Sequence, residues 1–124
     1  MKYLLVLLVS TLCLGQPKIY EYQTFDKRTL DGWKIIQIPG EVHIDKSTKE
    51  ITIVNQNACL TFNWISVQQF IRKGSYLYRL VNWRDKQVTM KIDYEENSDN
   101  IELYYYSDEP GMEYFRLRLT LCKN

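Results

Sequence analysis

Residues 87–122 read QVTMKIDYEENSDNIELYYYSDEPGMEYFRLRLTLC, and the order of apolar and polar side chains along them decides the fold. Val88, Met90, Ile92 and Tyr94 alternate with Thr89, Lys91 and Asp93. Ile101, Leu103 and Tyr105 alternate with Glu102, Tyr104 and Tyr106. Phe115, Leu117, Leu119 and Leu121 alternate with Tyr114, Arg116, Arg118 and Thr120. A period of two sends successive side chains to opposite faces, so each run is a strand with one dry and one wet side. Turn formers separate the runs, acidic and amide residues at 95–100 and a Pro110-Gly111 pair within 107–111. Pro110 has no N–H for a ladder and a fixed φ, which marks a turn.

Cross-strand matching sets the expected register. Pairing Tyr106 with Met112 puts Tyr104 opposite Tyr114, Glu102 opposite Arg116, Leu103 opposite Phe115 and Ile101 opposite Leu117, like with like and charge with countercharge. The first hairpin admits either Lys91 or Asp93 opposite Glu102, and charge favours Lys91.

Upstream, short β-prone runs begin at Ile19, Trp33, Val42, Ile51, Leu60 and Tyr76. Polar or turn-forming breaks at 26–28, Asp31-Gly32, Pro39-Gly40, 46–49, 55–57 and 82–86 separate them. Residues 65–74 carry two readings. Ser66 with Gln69 fits a helix-capping box and Gly74 a helix C-cap. Ile65, Val67, Phe70 and Ile71 are instead β-prone, and a continued strand turning at Lys73-Gly74 is preferred. The sum is an all-β chain, a small antiparallel meander of about eight strands. Short links favour neighbour pairing, and closure removes exposed edges. A closed or nearly closed barrel is expected, with an open two-sheet sandwich as the alternative.

Asp31-Gly32-Trp33 entering a strand, with Arg116 and Arg118 on the last one, resembles the lipocalin-type calycin barrels, whose Gly-x-Trp tryptophan packs under a late arginine. The resemblance covers Trp33 and Arg116 or Arg118. Gly32 and Trp33 are adjacent here and a whole strand precedes them, so it implies barrel architecture and does not establish a ligand.

Residues 1–15 have one early cation, Lys2, a short apolar core and a small residue, Gly15, at the end. That is the pattern of a secretory signal peptide, leaving a single β domain over 16–124. The apolar run is shorter than the roughly 20 residues needed to span a bilayer. A secreted or periplasmic protein without a membrane span is expected. Lipid attachment at Cys13 is the minor alternative, since Leu12 is large where such sites take a small residue. Sixteen Lys and Arg face fifteen Asp and Glu, and losing Lys2 balances them. Interspersed neutrality lacks the basic stripe of a nucleic-acid groove. Cys59 and Cys122 remain after processing. In an oxidising compartment they are expected to form a disulfide, which would stabilise the fold by roughly 4 kcal/mol.

No nucleophile elbow, phosphate-cradling loop or dinucleotide fingerprint occurs, and His43 is the single histidine. Residues 93–100 lack calcium-loop spacing and no zinc ligand set is present. A non-enzymatic protein without metal or cofactor is expected. Tyrosine is in excess, and Tyr104, Tyr106 and Tyr114 share the wet face with Arg116. Tyr and Arg are favoured at interfaces because they join contact area to polar reach. The leading expectation is a secreted β-barrel binding module that engages a protein or glycan partner through Tyr104, Tyr106, Tyr114 and Arg116. The alternative is a carrier whose interior, lined by residues such as Phe62, Trp64, Tyr78, Met90 and Tyr105, takes a small apolar or sugar-like ligand.

Overall fold

Ten strands occur among residues 17–107 and 114–122, the part of the chain that the computed structural model describes. The expected signal peptide, Gln16 and the turn at Pro110-Gly111 lie outside those residues. In chain order the strands are β1 (Lys18–Tyr22), β2 (Phe25–Thr29), β3 (Gly32–Ile36), β4 (Gly40–Asp45), β5 (Glu50–Asn55), β6 (Ala58–Gln69), β7 (Ser75–Val81), β8 (Gln87–Tyr94), β9 (Asn100–Tyr106) and β10 (Tyr114–Leu121). The ladder runs β1-β4-β5-β6-β7-β8-β9-β10 and returns to β1, where Tyr20 faces Leu121 and Glu21 faces Thr120. This is a closed antiparallel barrel of eight strands, not an open sandwich.

β2 and β3 form a hairpin outside the eight-stranded ring. After a bend at Gln23-Thr24, β2 continues the line of β1 and pairs with the start of β10, while β3 pairs with β2 and forms an edge. Residues 26–28, which read as a polar break, are therefore strand. The reason is Asp26, which sits opposite Arg116 and receives its Nε at 2.8 Å. An ion pair across the ladder makes a charged segment a stable strand.

β6 runs through to Gln69 with a bulge between Trp64 and Ser66, so residues 65–69 continue as strand, and 70–74 make the turn. Phe70 N donates to Ser75 O at 2.8 Å, and Gly74 takes φ 90°. The β7–β8 loop is held from within. Asn82 Oδ1 accepts from Arg84 N at 2.8 Å and Lys86 N at 3.0 Å.

Both expected hairpin registers are corrected. Tyr106 pairs with Tyr114, Tyr104 with Arg116, Glu102 with Arg118 and Leu103 with Leu117. The shift is two residues, so every side chain keeps its expected face. Arg116 takes its countercharge from Asp26 on the opposite neighbour, which frees Glu102. In the first hairpin Asp93, not Lys91, faces Glu102. Asp93 is satisfied elsewhere: Ser75 Oγ donates to it at 2.6 Å, and Lys91 Nζ of its own strand supplies the countercharge at 3.5 Å. Lys91 faces Tyr104 and lies 4.7 Å from its ring centroid.

The expected disulfide is also corrected, because Cys59 and Cys122 are free thiols. β6 and β10 are four strands apart in either direction round an eight-stranded barrel, which puts them on opposite walls. Both cysteines have the outward parity of their strands, and a disulfide needs Cα atoms within about 7 Å. Partial burial, with Glu21 and Glu41 nearby, pushes the Cys122 thiol above its ordinary pKa. That lowers its thiolate fraction and its reactivity.

Inside, Ile51, Phe62, Leu80, Met90, Ile92, Leu103 and Leu119 are fully buried and fill the middle. One end is plugged by large rings: Trp64 meets Tyr78 at 5.2 Å and Tyr76 meets Tyr94 at 5.8 Å. The barrel is thus packed through its middle and closed at the end where β8 finishes.

Candidate functional site

Towards the other end, where β5 turns into β6 and β1 bends into β2, the packing gives way to a cavity of about 180 Å³. Its aromatic wall is Tyr22, Phe25, Phe62, Tyr105 and Phe115. Ile53, Leu60 and Leu117 complete it, and Asn55 sits among them. The rings form an unbroken chain. Phe62 lies 5.6 Å from Tyr105, Tyr105 5.9 Å from Phe115, Phe115 5.6 Å from Phe25, and Phe25 6.4 Å from Tyr22. Trp83, in the β7–β8 loop, continues the chain from outside at 5.7 Å from Phe62. Tilted and edge-to-face contacts at these separations are favoured by the ring quadrupoles, so the wall is stiff as well as apolar.

The cup follows from local sequence. Gly40 has no side chain at an inward position between Tyr22 and Asn55. A Cβ there would collide with the Tyr22 hydroxyl and the Val54 carbonyl. Tyr22 therefore lies across Gly40 and presents its hydroxyl to Asn55 Nδ2 at 3.5 Å. Asn55 is locked in orientation, because its Oδ1 accepts from Asn57 N at 2.8 Å and Ala58 N at 3.0 Å. Burial raises the Tyr22 pKa, against the opposing effect of Asn55, which keeps the phenol neutral.

Of the interior residues expected from sequence, the structure brings Phe62 and Tyr105 into the cup. Met90 is packing in the middle, and Trp64 and Tyr78 belong to the plugged end. Tyr22, Phe25, Phe115 and Asn55 were missed. Inward parity marked Phe115 in the sequence, but the β1–β2 bend that brings Phe25 beside it carries no sequence signal.

Tyr104, Tyr106, Tyr114 and Arg116 do come together on the outer wall, all half-buried. Their polar ends are turned onto one another and onto neighbours. Tyr106 and Tyr114 rings meet edge to face at 4.4 Å with hydroxyls 3.0 Å apart. Tyr104 donates to Glu102 at 2.5 Å; burial, then that contact, pushes its pKa up to about 12. Arg116 binds Asp26 through Nη2 at 2.7 Å. Trp33 joins the patch, 4.9 Å from Tyr114 and with Arg116 at 4.7 Å from its ring.

His43 lies outside the cup, 3.0 Å from Glu41. Among the described residues no group of three or more His, Cys, Asp or Glu is placed to hold a metal. Comparison with protein-family models, characterised proteins and solved structures finds no match for the chain.

Proposed function

We propose that the protein is an exported, non-enzymatic binding module that takes a small uncharged apolar molecule into the aromatic cup of its barrel. The observation that supports this is the 180 Å³ aromatic cup beside a fully packed middle. An engineered cavity of about 150 Å³ lined by apolar side chains stays dry and binds benzene. A guest burying roughly 200 Å² of its own apolar surface gains about 5 kcal/mol, less the cost of its lost translational and rotational freedom, so binding in the millimolar range is expected.

Methyl NMR tests the reading with a panel of millimolar probes, hexanol, cyclohexanol and ethylbenzene among them. The Ile53, Leu60 and Leu117 methyls are expected to shift saturably, while those of Leu80, Met90 and Ile92 stay put. Ile53→Phe fills the cup and is expected to abolish the shifts without lowering the melting temperature. A panel in which no probe moves the cup methyls would overturn the proposal.

A second reading is engagement of a macromolecular partner by Tyr104, Tyr106, Tyr114 and Arg116. It is favoured by the exposure of Trp33 and Ile35 beside them, 39% and 63%. Changing Tyr104 and Tyr114 to Ser is expected to weaken capture of that partner from native extract with the fold intact. Unchanged capture rejects the patch.

A further inference from the structure

We infer that the cup's ligand is a single aromatic ring bearing one hydrogen-bond-accepting oxygen, with no charge; this rests on the cup being a binding site. Four observations set the class. Among the described residues no Lys, Arg, His, Asp or Glu lines the cavity. An ionised guest would therefore lose its hydration with no countercharge in return. At about 180 Å³ the cup holds one ring and a short substituent.

The wall is itself a run of rings meeting at 47° to 85°. A planar aromatic guest extends that pattern, and each edge-to-face or offset contact is worth about two- to tenfold in affinity beyond buried area. A saturated ring of the same size gains the burial without the quadrupole contacts.

The polar partner is the Tyr22 hydroxyl. Among the described residues, the hydrogen bond it makes is the one it accepts from Asn55 Nδ2, at a long 3.5 Å. Its proton remains to be donated, and a carbonyl or ether oxygen on the guest is the acceptor that matches. A sugar needs many more partners than Tyr22, Asn55 and Tyr105 provide, since each buried hydroxyl left unbonded is costly.

The test uses acetophenone, its saturated counterpart cyclohexyl methyl ketone, oxygen-free ethylbenzene and benzoate, with affinities read from the Ile53 and Leu60 methyl shifts. Acetophenone is expected to bind about tenfold more tightly than the saturated ketone, and benzoate not at all at neutral pH. Tyr22→Phe keeps the ring over Gly40 and removes the hydroxyl. It is expected to weaken acetophenone about three- to tenfold and to leave ethylbenzene unchanged. Equal affinity for the two ketones overturns the aromatic assignment while the cup remains a binding site. A Tyr22→Phe variant that binds acetophenone as tightly as the parent overturns the oxygen contact. If no member of either probe set binds, the cup reading falls with the inference.

Discussion

Ile71 holds φ at 63°, and Arg72 N donates back to Phe70 O at 2.6 Å. That is a γ-turn with positive central φ, a rare and strained form. For a β-branched residue the left-handed region costs about 1–2 kcal/mol. Burial does not offset it, because Ile71 is 90% exposed. Ile71→Gly removes the clash but adds about 0.5–1 kcal/mol of backbone entropy to lose on folding. The expected net is a gain of about 0.5–1 kcal/mol, raising the melting temperature by roughly 3–6 °C. Ile71→Ala keeps a Cβ and should fall between. A thermal melt in which Ile71→Gly is no more stable than the parent refutes the strain. The sequence shows nothing of this turn at Ile71 itself, whose side chain reads as strand or helix. The conformation is imposed by the Phe70–Ser75 closure between β6 and β7. Gly32 and Gly74, by contrast, are legible as the residues that take positive φ.

At the scale of elements, faces were legible and partners were not. Alternation in β8, β9 and β10 fixed which side chains point inward, because a slip of one residue would expose Ile92, Leu103 and Leu117 together. A slip of two costs nothing in that pattern, and both hairpin registers fell in this gap. What selects between them is non-local. Arg116 is claimed by Asp26, 90 residues away in the chain, and Asp93 by Ser75 on the other neighbouring strand. The Asn97 turn, with φ 58° and Ser98 N bonded to Glu95 O, then accommodates the register chosen. β3 was legible from Trp33 onward, but β2 was not, for the same reason: a charged segment reads as a loop until its counterion on β10 is known. The cup depends on β2, since Phe25 reaches Phe115 only because β2 bends onto β10.

For the whole molecule, closure sets how it responds to base. Burial is the leading cause raising the pKa of Tyr20, Tyr22, Tyr78 and Tyr94 inside the barrel and of Tyr104 and Tyr106 on its wall. In the unfolded chain these phenols titrate near pH 10. Above that pH the unfolded state binds fewer protons than the folded one, so the slope of unfolding free energy against pH is negative. Stability is therefore whole below about pH 9 and is lost as pH rises through 10. Tyr104, with its folded pKa at about 12, ceases to contribute to the loss above that value. Two measurements bear on this. Urea midpoints should hold level from neutral pH to about 9 and then fall steeply. After a jump to high pH, most tyrosinate absorbance should grow with the loss of β-sheet circular dichroism, since the buried phenols ionise only when the barrel opens. If that absorbance rises at once, with an ordinary midpoint and the sheet signal intact, the inner hydroxyls are in water and the barrel is not closed around them. The aromatic cup would go with it, because Tyr22 is one of those phenols and its neutrality is a consequence of the same burial.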